Sequence, residues 1–146
     1  MPVNVELSSI VTPPIGLSHR ERMIVARRHT VPNLDDTWPG FKDMPVVFAT
    51  AMMCGFIEQT CIEAVRPYLT AAQRTVGTHL NVSHVAPTPI GLAVTAEVEL
   101  LAVNGKRMEF RVRCSDETGV IGEGTHHRAL VTMDEFCKRV LKKEKR

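Results

Sequence analysis

Between Val46 and Cys61 the only ionisable carboxylate is Glu58, set in the mainly apolar run VVFATAMMCGFIEQTC. A carboxylate in such surroundings takes a partner or has its pKa raised, and a raised pKa suits a general base. Two plainer readings stand beside that one: an exposed edge, or an ion pair with an arginine. Thr50, Cys54 and Glu58 recur at steps of four, which puts them on one side of a helix. Thr50 would lie in the first turns, where the positive end of the helix dipole favours a nucleophile or a carbonyl-binding hydroxyl. From composition alone, a threonine that only caps or bonds back to a carbonyl is the favoured reading. At 1.5 Å rise per residue, Thr50 and Glu58 are about 12 Å apart along a continuous helix and cannot touch. The helix begins irregularly, or substrate and water lie between the two, or a second subunit completes the constellation.

His84 shares strand parity with Thr78, Leu80 and Val82, which points it at a core face where a histidine needs a partner. Glu58 is the attractive candidate, orienting the imidazole for proton transfer inside a closed pocket. A satisfied core histidine is the alternative. His79 takes the opposite parity and is expected to be wet. His126 and His127 are adjacent and split between faces, which disfavours a compact metal site. Arg128 shares parity with His126 and suits an anionic ligand or a pairing with Glu58. Gly77, just before the His84 strand, offers a backbone N–H to a carbonyl oxygen. GVIGEGTHHRAL carries three glycines, marking a bulge or close approach, and matches no phosphate-binding pattern.

These residues need elements to hold them. Glu21 to Thr30 reads as a strand, and HTVPNLDDTWPGFKDMP as a long loop. Asp43 or Met44 can cap a helix with Pro45 in its first turn, running to about Arg66, where Pro67 stops it. An almost wholly apolar helix predicts enclosure by a sheet and a partner chain. Period-two alternation then marks strands at Thr78 to Val85, Leu92 to Leu101, Arg107 to Cys114 and Val120 to Met133. In the third, Met108, Phe110, Val112 and Cys114 face one way and Arg107, Glu109, Arg111 and Arg113 the other. Asn104-Gly105 signals a short hairpin, Glu117 to Gly119 a second turn, and the four strands read as an antiparallel meander packed on one helix, an α+β arrangement.

The 146 residues suffice for one core, with 44% hydrophobic and 23% charged residues. The net charge of +2 hides an asymmetry: the last nine residues carry +5 and the rest −3. With an acidic body and few aromatics, nucleic-acid binding is disfavoured, and the tail reads as a solvated terminal helix. Cys54, Cys61, Cys114 and Cys137 form no CxxC pair, so free thiols are expected. The start lacks a signal-peptide pattern and no stretch is long enough to span a bilayer, which predicts a cytoplasmic protein. The expected division is an arm over 1–17, one domain over 18–137 and a basic tail over 138–146.

VFATAMMCGFIEQTC, then GTHLNVSHVAPTPIG, then GEGTHHRA resembles, in order, the fluoroacetyl-CoA thioesterase-like group of hotdog-fold proteins, over about Ser18 to Asp134. The resemblance implies a five-stranded antiparallel sheet wrapped round one long helix, dimerised by joining sheets edge to edge, with higher assembly left open. It implies that Thr50, Glu58 and His84 match the catalytic threonine, glutamate and histidine, and that Gly77 and Arg128 match residues near the acyl thioester. Fluoroacetyl-selective members are distinguished by aromatic residues closing the acyl pocket. Here Phe41 is present, but Met44 stands where a second ring is expected, which fits a short or medium acyl chain better. The expected activity is hydrolysis of a small acyl-CoA, with no cofactor or metal beyond the coenzyme A of the substrate. A hotdog hydratase or dehydratase and a non-catalytic acyl-CoA-binding dimer are the alternatives.

Overall fold

Alternating side chains build the sheet. In β4 (Arg107–Asp116) Met108, Phe110, Val112 and Cys114 are buried while Arg107, Arg111 and Arg113 are exposed, the division that period-two patterning requires. The computed structural model describes residues 12–145. In it β1 (Ser18–Ile24), β2 (Gln73–Val82), β3 (Ala93–Asn104), β4 and β5 (Gly119–Thr132) form one antiparallel sheet in the order β1-β3-β4-β5-β2. Three helices accompany it: α1 (Pro39–Lys42), α2 (Thr50–Val65) and α3 (Met133–Glu144). Helix α2 turns Met53, Ile57, Cys61, Ala64 and Val65 into one core with Val94, Val98, Leu100, Phe110, Val112 and Ile121. This is the hotdog arrangement, a sheet curved about one long helix.

The hairpins fall where their turn residues place them. β3 and β4 pair through Asn104 and Arg107 across Gly105-Lys106, and Gly105 has φ +63°, which glycine adopts without a Cβ clash. β4 and β5 close at Asp116 and Gly119. The four-strand meander needs correction, because β2 pairs with β5 and not with β3. Both edges of β3 are already taken, by β1 and β4.

Three further boundaries move. The first strand ends at Ile24, and the chain then turns through short 3-10 segments at Arg27–His29 and Val31–Asn33. Local bonds compete there with a ladder: the Ala26 N–H donates to His29 Nδ1 at 2.9 Å and Thr30 Oγ1 donates to the Arg27 carbonyl at 2.6 Å. The long helix begins at Thr50 and not beside Pro45. The residues before it are held extended, with the Phe48 N–H on the Thr88 carbonyl at 2.8 Å and the Ala49 N–H on the His29 carbonyl at 3.0 Å. Long-range backbone bonds override the local preference of Pro45. Finally, α3 runs across the expected boundary at residue 138. None of its residues is buried, and Asp134 and Glu135 at its start with Lys142 and Lys143 at its end complement its dipole.

Candidate active site

Two polar clusters sit along α2, one at its N-terminus and one at its middle. The first joins Thr50 to His84. Thr50 is the first residue of the helix, exposed, with no side-chain cap bond, and the first helical bond of that turn is Met53 N–H to the Ala49 carbonyl at 2.9 Å. The N–H groups of Thr50, Ala51 and Met52 thus stand at the positive end of the dipole. His84 lies just past β2, on an extension of its ladder made by Ser83 N–H to the Glu123 carbonyl (2.9 Å) and Val85 N–H to the Ile121 carbonyl (2.7 Å). The Phe48–Thr88 bond ties the following loop to the chain entering α2. These ties set Thr50 Oγ1 2.7 Å from His84 Nδ1. Burial pushes the imidazole pKa below its ordinary value, opposed by the backbone of Ala86, so the ring is neutral and able to accept a proton. Its Nε2 is buried without a hydrogen-bond partner among the described residues.

The second cluster gathers around Glu58. Its Oε2 accepts from Arg128 Nη1 at 3.0 Å and lies 4.0 Å from His126 Nε2. Arg128 is 3% exposed, and four hydrogen bonds compensate the burial of its guanidinium. Its Nε donates to Thr75 Oγ1 (2.9 Å), its Nη2 to the Thr75 carbonyl (2.8 Å), and its Nη1 also meets His126 Nε2 at 3.1 Å. Gly77 supplies the room. A Cβ there would collide with Glu58 Oε2 and crowd Arg128 and His126. A β-bulge between Gly77 and His79 resets the parity of β2, so His79 lies on the outer face opposite His127, with ring centroids 4.9 Å apart.

The expected contact between Glu58 and His84 is therefore not formed within one chain: Glu58 pairs with Arg128, and His84 with Thr50. Helix rise is the reason, since Thr50 and Glu58, eight residues apart, are separated by about 12 Å along α2. Gly77 likewise stands beside Glu58, at mid-helix, and not beside the helix N-terminus. Arg128 is buried in the Thr75, His126 and Glu58 network. Two hollows, of about 890 and 790 Å³, lie on the outer sheet face and beside α3, and neither is lined by Thr50, Glu58 or His84. Phe41 sits in α1 with its ring edge-on to Trp38, centroids 4.9 Å apart, and Met44 follows it, 47% exposed. Sequence reasoning missed Thr75 and His126 as site residues. The signal was parity: His126 is two residues before Arg128 and Thr75 two before Gly77, each pair on one face of its strand.

A sheet folded about a helix, with polar clusters at the helix N-terminus and midway along it, defines a hotdog protein equipped for acyl transfer. A family model described as fluoroacetyl-CoA-specific thioesterase matches residues 25–134. A fluoroacetyl-CoA thioesterase from Streptantibioticus cattleyicolor is 38% identical over 129 residues, 88% of this chain and 93% of that protein. A solved structure of a fluoroacetyl-CoA thioesterase superposes with TM-score 0.88 at 37% identity, covering 91% of this chain and 98% of that one. A hot-dog-like protein from Thermanaerovibrio acidaminovorans gives TM-score 0.76 at 25% identity, over 89% and 92% of the two chains. The chain belongs to the fluoroacetyl-CoA-specific thioesterase family. That membership makes it a thioester hydrolase.

Proposed function

We propose that this thioester hydrolase acts on a short- or medium-chain acyl-CoA as a homodimer in the cytoplasm. The observation that carries the mechanism is the 2.7 Å contact between Thr50 Oγ1 and His84 Nδ1. As the hydroxyl, or a water it holds, attacks the thioester carbonyl, the proton passes to His84 Nδ1. Negative charge on the carbonyl oxygen develops beside the first N–H groups of α2. Coenzyme A leaves as thiolate and takes a proton, and where Thr50 carries the acyl group, water hydrolyses that ester with Glu58 or His84 accepting its proton. The acid, coenzyme A and the starting enzyme result.

Support for a dimer comes from what one chain leaves open. Among the described residues β2 is an edge strand with one side unpaired, and Ala51 and Gly55 on the outer face of α2 are exposed. A second copy related by a two-fold axis, with β2 joined to β2, can set the Thr50–His84 half of one site against the Glu58–Gly77–Arg128 half of another. The cytoplasm is favoured by four free thiols. No helix among the described residues is long and apolar enough to cross a membrane. The relatives are named for fluoroacetyl-CoA. Met44, flexible and without a ring, supports a less selective acyl pocket here. The test is thiol release over a panel of acyl-CoAs from acetyl to octanoyl, with fluoroacetyl included. Release that is fastest on short or medium chains and abolished in His84→Ala supports the reading. Wild-type turnover in His84→Ala removes its proton acceptor.

A further inference from the structure

We infer that His126 and Thr75 are positioning residues: as a neutral clamp they hold the Arg128 guanidinium so that the other N–H of its Nη1 fixes the Glu58 carboxylate. The inference deepens the hydrolase reading and rests on it for its kinetic consequence. Its basis is a count of protons. Arg128 Nη1 carries two N–H groups, one directed at Glu58 Oε2 (3.0 Å) and one at His126 Nε2 (3.1 Å). A guanidinium has no acceptor, so Nε2 must be the acceptor and carry no proton. The proton of the ring then lies on Nδ1, where it donates to the His79 carbonyl at 2.8 Å. Thr75 holds the opposite side of the guanidinium with its hydroxyl and its carbonyl. The groups facing the imidazole from its surroundings are Arg128 and His127 on β5, Glu58 on α2 and the His79 carbonyl on β2. A second proton on His126 would set N–H against N–H at Arg128 and break the clamp.

Side-chain geometry separates a clamp from a packing residue. In His126→Gln the amide oxygen can stand where Nε2 stands and still accept from Arg128. In His126→Asn the amide nitrogen can stand where Nδ1 stands and still reach the His79 carbonyl, but nothing accepts from Arg128. Thiol release from the full-length protein is expected to show kcat lowered about tenfold or more in His126→Asn with KM little changed, and kcat largely kept in His126→Gln. Thr75→Val, which removes one acceptor, falls between them. An activity-independent readout is the rotation of the Arg128 guanidinium followed by ¹⁵N NMR: restricted in wild type and His126→Gln, released in His126→Asn. Equal losses in the two variants that track their melting temperatures, with no difference in guanidinium rotation, would overturn the clamp. A wild-type protein that releases no thiol from any acyl-CoA would sink the hydrolase reading alone, because the guanidinium signal still decides the clamp.

Discussion

At the scale of single residues, two groups of opposite character lie apart along one helix: a neutral imidazole bonded to a hydroxyl, and a carboxylate bonded to a buried cation. Glu58→Gln keeps the shape of the second group and removes its basicity. Thiol-release kinetics are expected to show kcat lowered by about two orders of magnitude, the usual span of a lost general base. Gly77→Ala is a subtler probe, since its methyl group would push against Glu58 Oε2 while leaving Thr50 and His84 untouched. It should lower kcat with little change in the thermal midpoint, and unaltered turnover would show that the position of Glu58 is immaterial. The polar residue types were legible in the sequence; their partners were not. Glu58 as the one acid of the run and His84 as an inward-facing ring follow from spacing. That Glu58 chooses Arg128, seventy residues away, follows only from the register that sets Gly77 opposite Arg128.

Elements carry the next level of constraint. The alternation in β4 identified its buried face correctly because each side chain there answers only to the helix on one side and water on the other. Phe110, fully buried beneath α2, sits at the middle of that face, and Phe110→Ala is expected to cost about 3–5 kcal/mol, measured as a shift in the urea midpoint. The pairing of β2 with β5 depends on backbone proximity at Gly124, where any Cβ would strike the Asn81 carbonyl. Gly124→Ala should therefore destabilise by about 2 kcal/mol or more and move His84 with the strand. The start of α2 was misplaced for the same kind of reason. Pro45 is a good first residue in isolation, but the Thr88 and His29 carbonyls claim the Phe48 and Ala49 amides and hold that segment extended.

For the whole molecule, His29, His84 and His126 all have pKa values lowered from 6.5, each chiefly by burial. Unfolded histidine takes its proton near pH 6.5, whereas these rings in the folded chain take theirs only at lower pH. The unfolded state therefore binds more protons in that window, so stability is fully present above about pH 6.5 and declines as pH falls through the folded values. Urea midpoints at pH 7.5 and 5.5 should differ in that direction, and kcat/KM should fall on the same side as His84 ceases to accept a proton. Mixed subunits test the assembly. Heterodimers of Thr50→Ala with Glu58→Ala chains regain one intact site if the halves belong to different copies, so thiol release should recover well above either parent. No recovery would place both halves in one chain's own site.

By itself the sequence determined the fold class, the inward and outward faces of the strands, the hairpins at Gly105 and near Gly119, and the residue types with chemistry to offer. Those properties depend on neighbours a few residues away, and local spacing encodes them. Tertiary structure alone decided that β2 crosses to β5, that α2 starts at Thr50, and that Thr50 meets His84 while Glu58 meets Arg128, Thr75 and His126. Each of those outcomes depends on which backbone groups are already paired and on how far a helix rises per residue. Both are properties of the assembled chain and of no short segment within it.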